Sequence, residues 1–181
     1  MAGLMNPLPG HTVTQGFAGA YYMEQPGWLF TDAGGPWAGS KTSVTGPGWT
    51  YKVDLHMAID QSAPIDTPVL APERMKIVVN MVDPTTGDHF VIGEIRFGTI
   101  LHFDHLSKVL LPVGTVVGKG VKFALSGATG HVSGPHLHWE VRHTNSTTAD
   151  YRVTSRWRRY NPLRMYTGKD HANVPWIVPT H

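Results

Sequence analysis

Between residues 51 and 145 no helical apolar period persists for three turns. That absence narrows the fold more than any other feature. Short β-branched runs take its place: Pro68–Ala71, Met75–Met81, Phe90–Phe97, Thr99–His105, Val121–Leu125 and Leu137–Val141. Val53, Leu55 and Met57 alternate with Asp54, His56 and Ala58, as along a further strand. Gly, Pro, Asp and Thr separate the runs and mark turns. With 20 Gly and 14 Pro in 181 residues, turns outweigh long helices. The expected fold is all-β, an antiparallel β-sheet core whose long loops form a substrate groove.

Hydrophobic residues are 41% and charged residues 15%, enough apolar surface for a single core. One domain is expected over 1–166, with a loop-rich part at 1–50 and a β core at 51–145. The stretch from Gly27 to Trp49 reads as long loops bearing aromatics, which either wall a groove or anchor the loops. In the tail, Arg152, Arg156, Arg158, Arg159 and Arg164 crowd around Trp157, Tyr160 and Tyr166. They suit an anionic surface or a solvated face, with a short helix near 151–159. Residues 167–181 read as a C-terminal extension.

Composition also bounds the chemistry. The chain has no Cys, which excludes disulfides, thiolate metal sites and a cysteine nucleophile. It has 11 His against 13 acidic residues, so imidazole is its best metal ligand. A net charge of +2 is too small for a dedicated nucleic-acid binder. No apolar run approaches the roughly 18 residues of a membrane span, so no membrane insertion is expected. The start, Met1 to Pro7, lacks a positive n-region and an apolar h-region. The expectation is synthesis in a cytoplasm without a signal peptide.

The strongest local pattern is His136-Leu137-His138-Trp139-Glu140-Val141. On a strand, His136, His138 and Glu140 share one face, and Leu137, Trp139 and Val141 the other. Two imidazoles on adjacent positions suit a metal site, one binding the ion and one beside an open position. Taken alone, the pattern also fits two histidines on a polar face. A second cluster, His56-Met57-Ala58-Ile59-Asp60, pairs imidazole with carboxylate, both zinc ligands. On an ideal strand these two Cα atoms lie about 13 Å apart, so the chain must bend between or just after them. Asp60 to Pro64 supplies a strand end. In the third cluster, around His102 and His105, alternation puts His105 in an apolar row with Leu101 and Phe103. The fourth element is the loop from Ser126 to Pro135, which runs straight into His136. A phosphate loop would need a helix to follow, and a strand follows here.

In order, His56-x3-Asp60, His105-Leu106, Gly127-x-Thr129-Gly130 and Gly134-Pro135-His136-Leu137-His138 resemble the LytM/lysostaphin-type zinc metallopeptidases, of the duplicated-hybrid-motif type. That family cuts peptide cross-links in bacterial cell walls. Pro68-Val69-Leu70-Ala71, the turn from Val113 to Gly120, and Asn161-Pro162-Leu163 extend the resemblance over roughly 50–165. Ala58 stands where the family usually has Gly, Glu73-Arg74-Met75 lacks a usual Gly, and Gly16-Phe17-Ala18-Gly19 echoes a longer family motif.

The resemblance implies one zinc ion per chain, held by His56, Asp60 and His138. His105 and His136 would flank a water, one as base and one steadying the oxyanion. It implies a zinc-dependent endopeptidase acting on peptidoglycan peptides as a monomer, without nucleic acid. The alternative is a non-catalytic module that binds wall or activates another hydrolase. The implied setting is the cell wall. The protein would be released by a phage as a lysin or carried in a virion, or be a domain of a longer protein.

Overall fold

The computed structural model describes residues 4–15, 41–46, 49–54, 58–96, 98–143, 158–160 and 162. Among them lie thirteen strands and no α-helix. They are β1 (Val13–Gln15), β2 (Lys41–Gly46), β3 (Trp49–Asp54), β4 (Ile59–Ser62), β5 (Pro68–Leu70), β6 (Met75–Val82), β7 (His89–Arg96), β8 (Thr99–Asp104), β9 (Leu106–Val109), β10 (Val116–Val117), β11 (Lys122–Ser126), β12 (His136–His143) and β13 (Arg158–Tyr160). Every pairing is antiparallel. The all-β antiparallel expectation therefore holds.

The largest sheet runs β1-β4-β12-β8-β7-β6-β10, with β13 also on β12. One edge of β12 takes β8 along most of its length. The other edge is shared, β4 opposite His136–Trp139 and β13 opposite Val141–His143. A three-stranded sheet, β5-β11-β9, packs over it, and β2 pairs β3 separately.

Alternation decides what fills the space between the sheets. Leu137, Trp139 and Val141 of β12 and Leu101 and Phe103 of β8 are fully buried, and they meet Val69, Leu106 and Phe123 from the smaller sheet. Phe103 packs edge-on to Phe123 and stacks with Trp139, at centroid distances of 5.0 and 6.1 Å. Each such aliphatic or Phe side chain contributes about 1.5–3 kcal/mol by leaving water. The opposite face of the large sheet carries a smaller cluster, Ile92 and Ile100 with Val78, Val79 and Phe90, and beside it the polar side chains of β12.

Two local expectations change. Part of the stretch read as aromatic loops forms the hairpin β2–β3, in register from Lys41↔Asp54 to Gly46↔Trp49 across Pro47-Gly48. As expected, a strand ends within Asp60–Pro64, β4 closing at Ser62, and the chain bends at Ala58, between His56 and Asp60. Of the helix expected near 151–159, Arg158 and Arg159 belong to β13, and 151–157 lie outside the described residues. Residues 16–40, which include most of the stretch expected to be loops, and residues from 163 onward also lie outside them.

Gly127 locks the loop after β11 to the turn between β8 and β9. A Cβ there would meet the backbone N of Ser107 and come within 2.7 Å of the His105 carbonyl oxygen. Backbone cannot yield as a side-chain tip does. Gly127→Ala is expected to destabilise the protein by about 1–3 kcal/mol, as overpacking does. A chemical-denaturation midpoint unchanged from wild type would refute this.

Candidate metal centre and histidine cluster

Three strands align the centre. Asp60 on β4 is opposite His138 on β12, and His138 is opposite Asp104 on β8. Cross-strand partners sit about 5 Å apart, so carboxylate, imidazole and carboxylate form one row. His138 Nδ1 is 3.0 Å from Asp60 Oδ1. On its other side Nε2 is 3.4 Å from Glu140 Oε1 and 3.7 Å from Asp104 Oδ2. Arg142 grips Glu140 with two hydrogen bonds of 2.7 Å, and His102 Nε2 is 2.9 Å from Asp104 Oδ1. Glu140 and Arg142 are buried, at 2% and 5% exposure, so their charges need each other.

The electrostatics follow from this crowding. Burial disfavours a charged His138. Its hydrogen bonds to Asp60 and Glu140 and the nearby Asp104 carboxylate outweigh burial and raise its pKa to about 10. Burial would raise Asp104, but the charge and hydrogen bond of His102, with help from His138, bring it down to about 2. Glu140 raises the Arg142 pKa against the desolvation that opposes it.

The other two imidazoles arrive by separate routes. β8 ends at Asp104, and His105 adopts a φ of 64°. A left-handed residue other than Gly costs on the order of 1–3 kcal/mol. It also breaks the strand alternation. His105 therefore leaves the row of Leu101 and Phe103 that the sequence assigned to it, and its ring joins the polar face. Its centroid is 4.7 Å from that of His136 and 5.7 Å from that of His138. His105 Nδ1 is 2.9 Å from the Thr129 carbonyl oxygen, and His136 Nδ1 is 2.9 Å from that of Gly134. A carbonyl only accepts, so both rings donate from Nδ1 and keep an Nε2 lone pair. His136 Nε2 lies 3.8 Å from Asp60 Oδ2.

Of the residues singled out in the sequence, Asp60, His105, His136 and His138 stand together here, and His56 lies outside the described residues. Sequence reasoning gave no role to Asp104 or Arg142, and it named His102 only as a neighbour of His105. It placed Glu140 on the right face without a role. The i+2 spacing of Glu140 and Arg142 after His138 carried that signal, while Asp104 needed the register of β8 against β12. His102, Asp104 and Glu140 each bring a donor atom within 4.8 Å of the others, a His/Asp/Glu set compatible with a single zinc site. Arg142 already engages both Glu140 oxygens, however, and His102 engages Asp104. Asp60 and His138 Nδ1 face the other two histidines instead. Three carboxylates, Asp60, Asp104 and Glu140, surround His138 with one guanidinium among them. The excess negative charge and the N/O donor set fit a zinc ion.

Comparison with known proteins agrees. The sequence model of Peptidase family M23 matches residues 54–150, more than half of the chain. The peptidoglycan DD-endopeptidase ShyB of Vibrio cholerae is 39% identical over 92 residues, covering 51% of this chain and 21% of that protein. The chain spans about a fifth of the length of the curated relatives it matches. Among solved structures, a zinc-containing peptidase from Vibrio cholerae superposes with a TM-score of 0.61 at 27% identity, covering 90% of this chain and 40% of that one. The antimicrobial peptidase lysostaphin from Staphylococcus simulans gives 0.52 at 26%, covering 77% and 56%.

Proposed function

Since the chain belongs to Peptidase family M23, the zinc metallopeptidases related to LytM and lysostaphin, we propose that it is an endopeptidase that hydrolyses peptide cross-links of bacterial peptidoglycan. The observation that carries this reading is the convergence of Asp60 and three imidazoles on one sheet face. His56, Asp60 and His138 would hold the ion. Bound there, zinc would polarise the scissile carbonyl and acidify a water at neutral pH. His105 and His136 keep Nε2 lone pairs, so either accepts the water's proton. The ring so protonated becomes a donor for the developing oxyanion or the leaving amine. Acid–base help of this kind is worth roughly 10²–10⁴ in rate. Glu140 and Asp104 hold Nε2 of His138 and leave Nδ1 directed at Asp60.

The relative at 39% identity is named a DD-endopeptidase, and this supports a D,D cross-link over a glycyl bridge. We assign 1–166 to one peptidase domain, with 51–145 its catalytic core and 167–181 an extension. β13, pairing with β12, supports an end beyond 160. We place its action at the wall, as a monomer independent of nucleic acid, whether released by a phage or built into a longer enzyme. Among the described residues no helix is long and apolar enough to cross a membrane.

The test is digestion of two defined wall types, one cross-linked directly through diaminopimelate and one through glycine bridges. Expected results are one zinc per chain by elemental analysis, new diaminopimelate amino groups, loss of turnover with a chelator and its return with zinc. Wall digestion that a chelator leaves untouched would sink the proposal.

A further inference from the structure

The tip of the β6–β7 hairpin reaches the histidine cluster. Asp83 shapes that tip. Its Oδ1 accepts the Thr85 and Thr86 N–H groups at 2.7 and 3.1 Å, and its own N–H donates to the Asp88 carbonyl at 2.7 Å. The turn so closed presents the Asp88 side chain to His105. Asp88 Oδ1 accepts the His105 backbone N–H at 2.9 Å and lies 3.2 Å from His105 Nδ1. The Thr129 hydroxyl, 3.3 Å away, also turns toward that oxygen. Thr129 adds more ties: its hydroxyl is 3.2 Å from the Leu106 carbonyl, it accepts the His89 N–H at 3.0 Å, and its carbonyl takes His105 Nδ1. Gly130 lets the loop close on this point, since a Cβ there would come within 2.8 Å of Asp88 Cβ.

These contacts meet where the backbone leaves the strand. With its φ of 64°, His105 is one of two described residues other than Gly at positive φ. Such a conformation persists only where its surroundings over-determine it. Extended backbone at 105 would return the ring to the core side, by the period of two. Asp88 is the side chain that holds both the backbone N–H and the ring of this residue.

We propose that Asp88 is a positioning residue for the hydrolysis. Its carboxylate latches His105 in the left-handed conformation and so aims Nε2 at the reacting centre. It touches neither the ion nor the substrate under the reading above, on which its kinetic consequence rests. Its chemistry is distinct from that of the Thr129 carbonyl. The carbonyl sets which ring nitrogen is protonated, and Asp88 sets where the ring stands.

The experiment compares Asp88→Ala and Asp88→Asn with wild type on a soluble cross-linked muropeptide. Misplacement by about 1 Å costs on the order of a hundredfold. Asp88→Ala is therefore expected to lose about 10- to 100-fold in kcat, with KM and bound zinc unchanged. The amide oxygen of Asp88→Asn still accepts the His105 and Thr129 donors, so this variant recovers most of that loss. Nitrogen chemical shifts of the His105 ring give a readout independent of turnover, displaced in Asp88→Ala and near wild type in Asp88→Asn. A folded Asp88→Ala with wild-type kcat, or one with unperturbed His105 shifts, overturns the proposal. If wild type cuts no muropeptide, the functional reading fails, and the ring shifts still decide whether Asp88 positions His105.

Discussion

Asp60→Ala is expected to lower wall hydrolysis by roughly a thousandfold or more while leaving the fold intact. Asp60 stands between two of the cluster's imidazoles, its Oδ1 at 3.0 Å from His138 and its Oδ2 at 3.8 Å from His136. Removing it deletes a proposed ligand and the carboxylate that faces both His138 and His136. The ion is asked for several kcal/mol of transition-state stabilisation, and each 1.36 kcal/mol is tenfold in rate. The backbone pairing of β4 with β12 does not involve the carboxylate, so Ala fits the strand. Elemental zinc content and kcat/KM on purified sacculi check the expectation together. A variant that keeps full turnover would remove Asp60 from the metal site.

The second large effect is on stability. Arg142→Met leaves Glu140 buried without its two 2.7 Å hydrogen bonds to guanidinium. Breaking a buried pair from one side costs about 3–5 kcal/mol. For a chain of this size that lowers the melting temperature by roughly 10 °C. Replacing both partners, Glu140→Leu with Arg142→Met, is expected to recover much of the stability, because an apolar pair has no charge to strand. It is not expected to recover activity, since Nε2 of His138 then loses its 3.4 Å acceptor. Paired thermal melts and turnover assays separate the two effects. Equal melting of single variant and wild type would show that Glu140 finds another partner.

Local patterns were legible in the sequence, and pairings across the chain were not. Period-two alternation in Leu137, Trp139 and Val141 named the buried face of β12 without any structure. The same rule misplaced His105, because a single left-handed residue inverts the parity of everything after it. The hairpin at Lys41–Asp54 was hidden among Gly, Pro and aromatic residues that read as loop, although Pro47-Gly48 is a turn signal. Asp104 had no sequence mark at all. Its place beside His138 follows only from the register of β8 against β12. Asp60 was found through its spacing from His56, in a motif whose first member lies outside the described residues.

The row Asp60–His138–Asp104 also bears on when the protein becomes competent. Asp60 and His138 are 78 positions apart in the chain. Contacts of such separation form late, because loop closure must precede them. A nascent chain that has released only β4 to β11 owns both carboxylates of the row, Asp60 and Asp104, and lacks the His138 that stands between them. The row is complete only with β12 in place between β4 and β8. The row is therefore incomplete on a nascent chain until β12, the last long strand of the described core, has emerged.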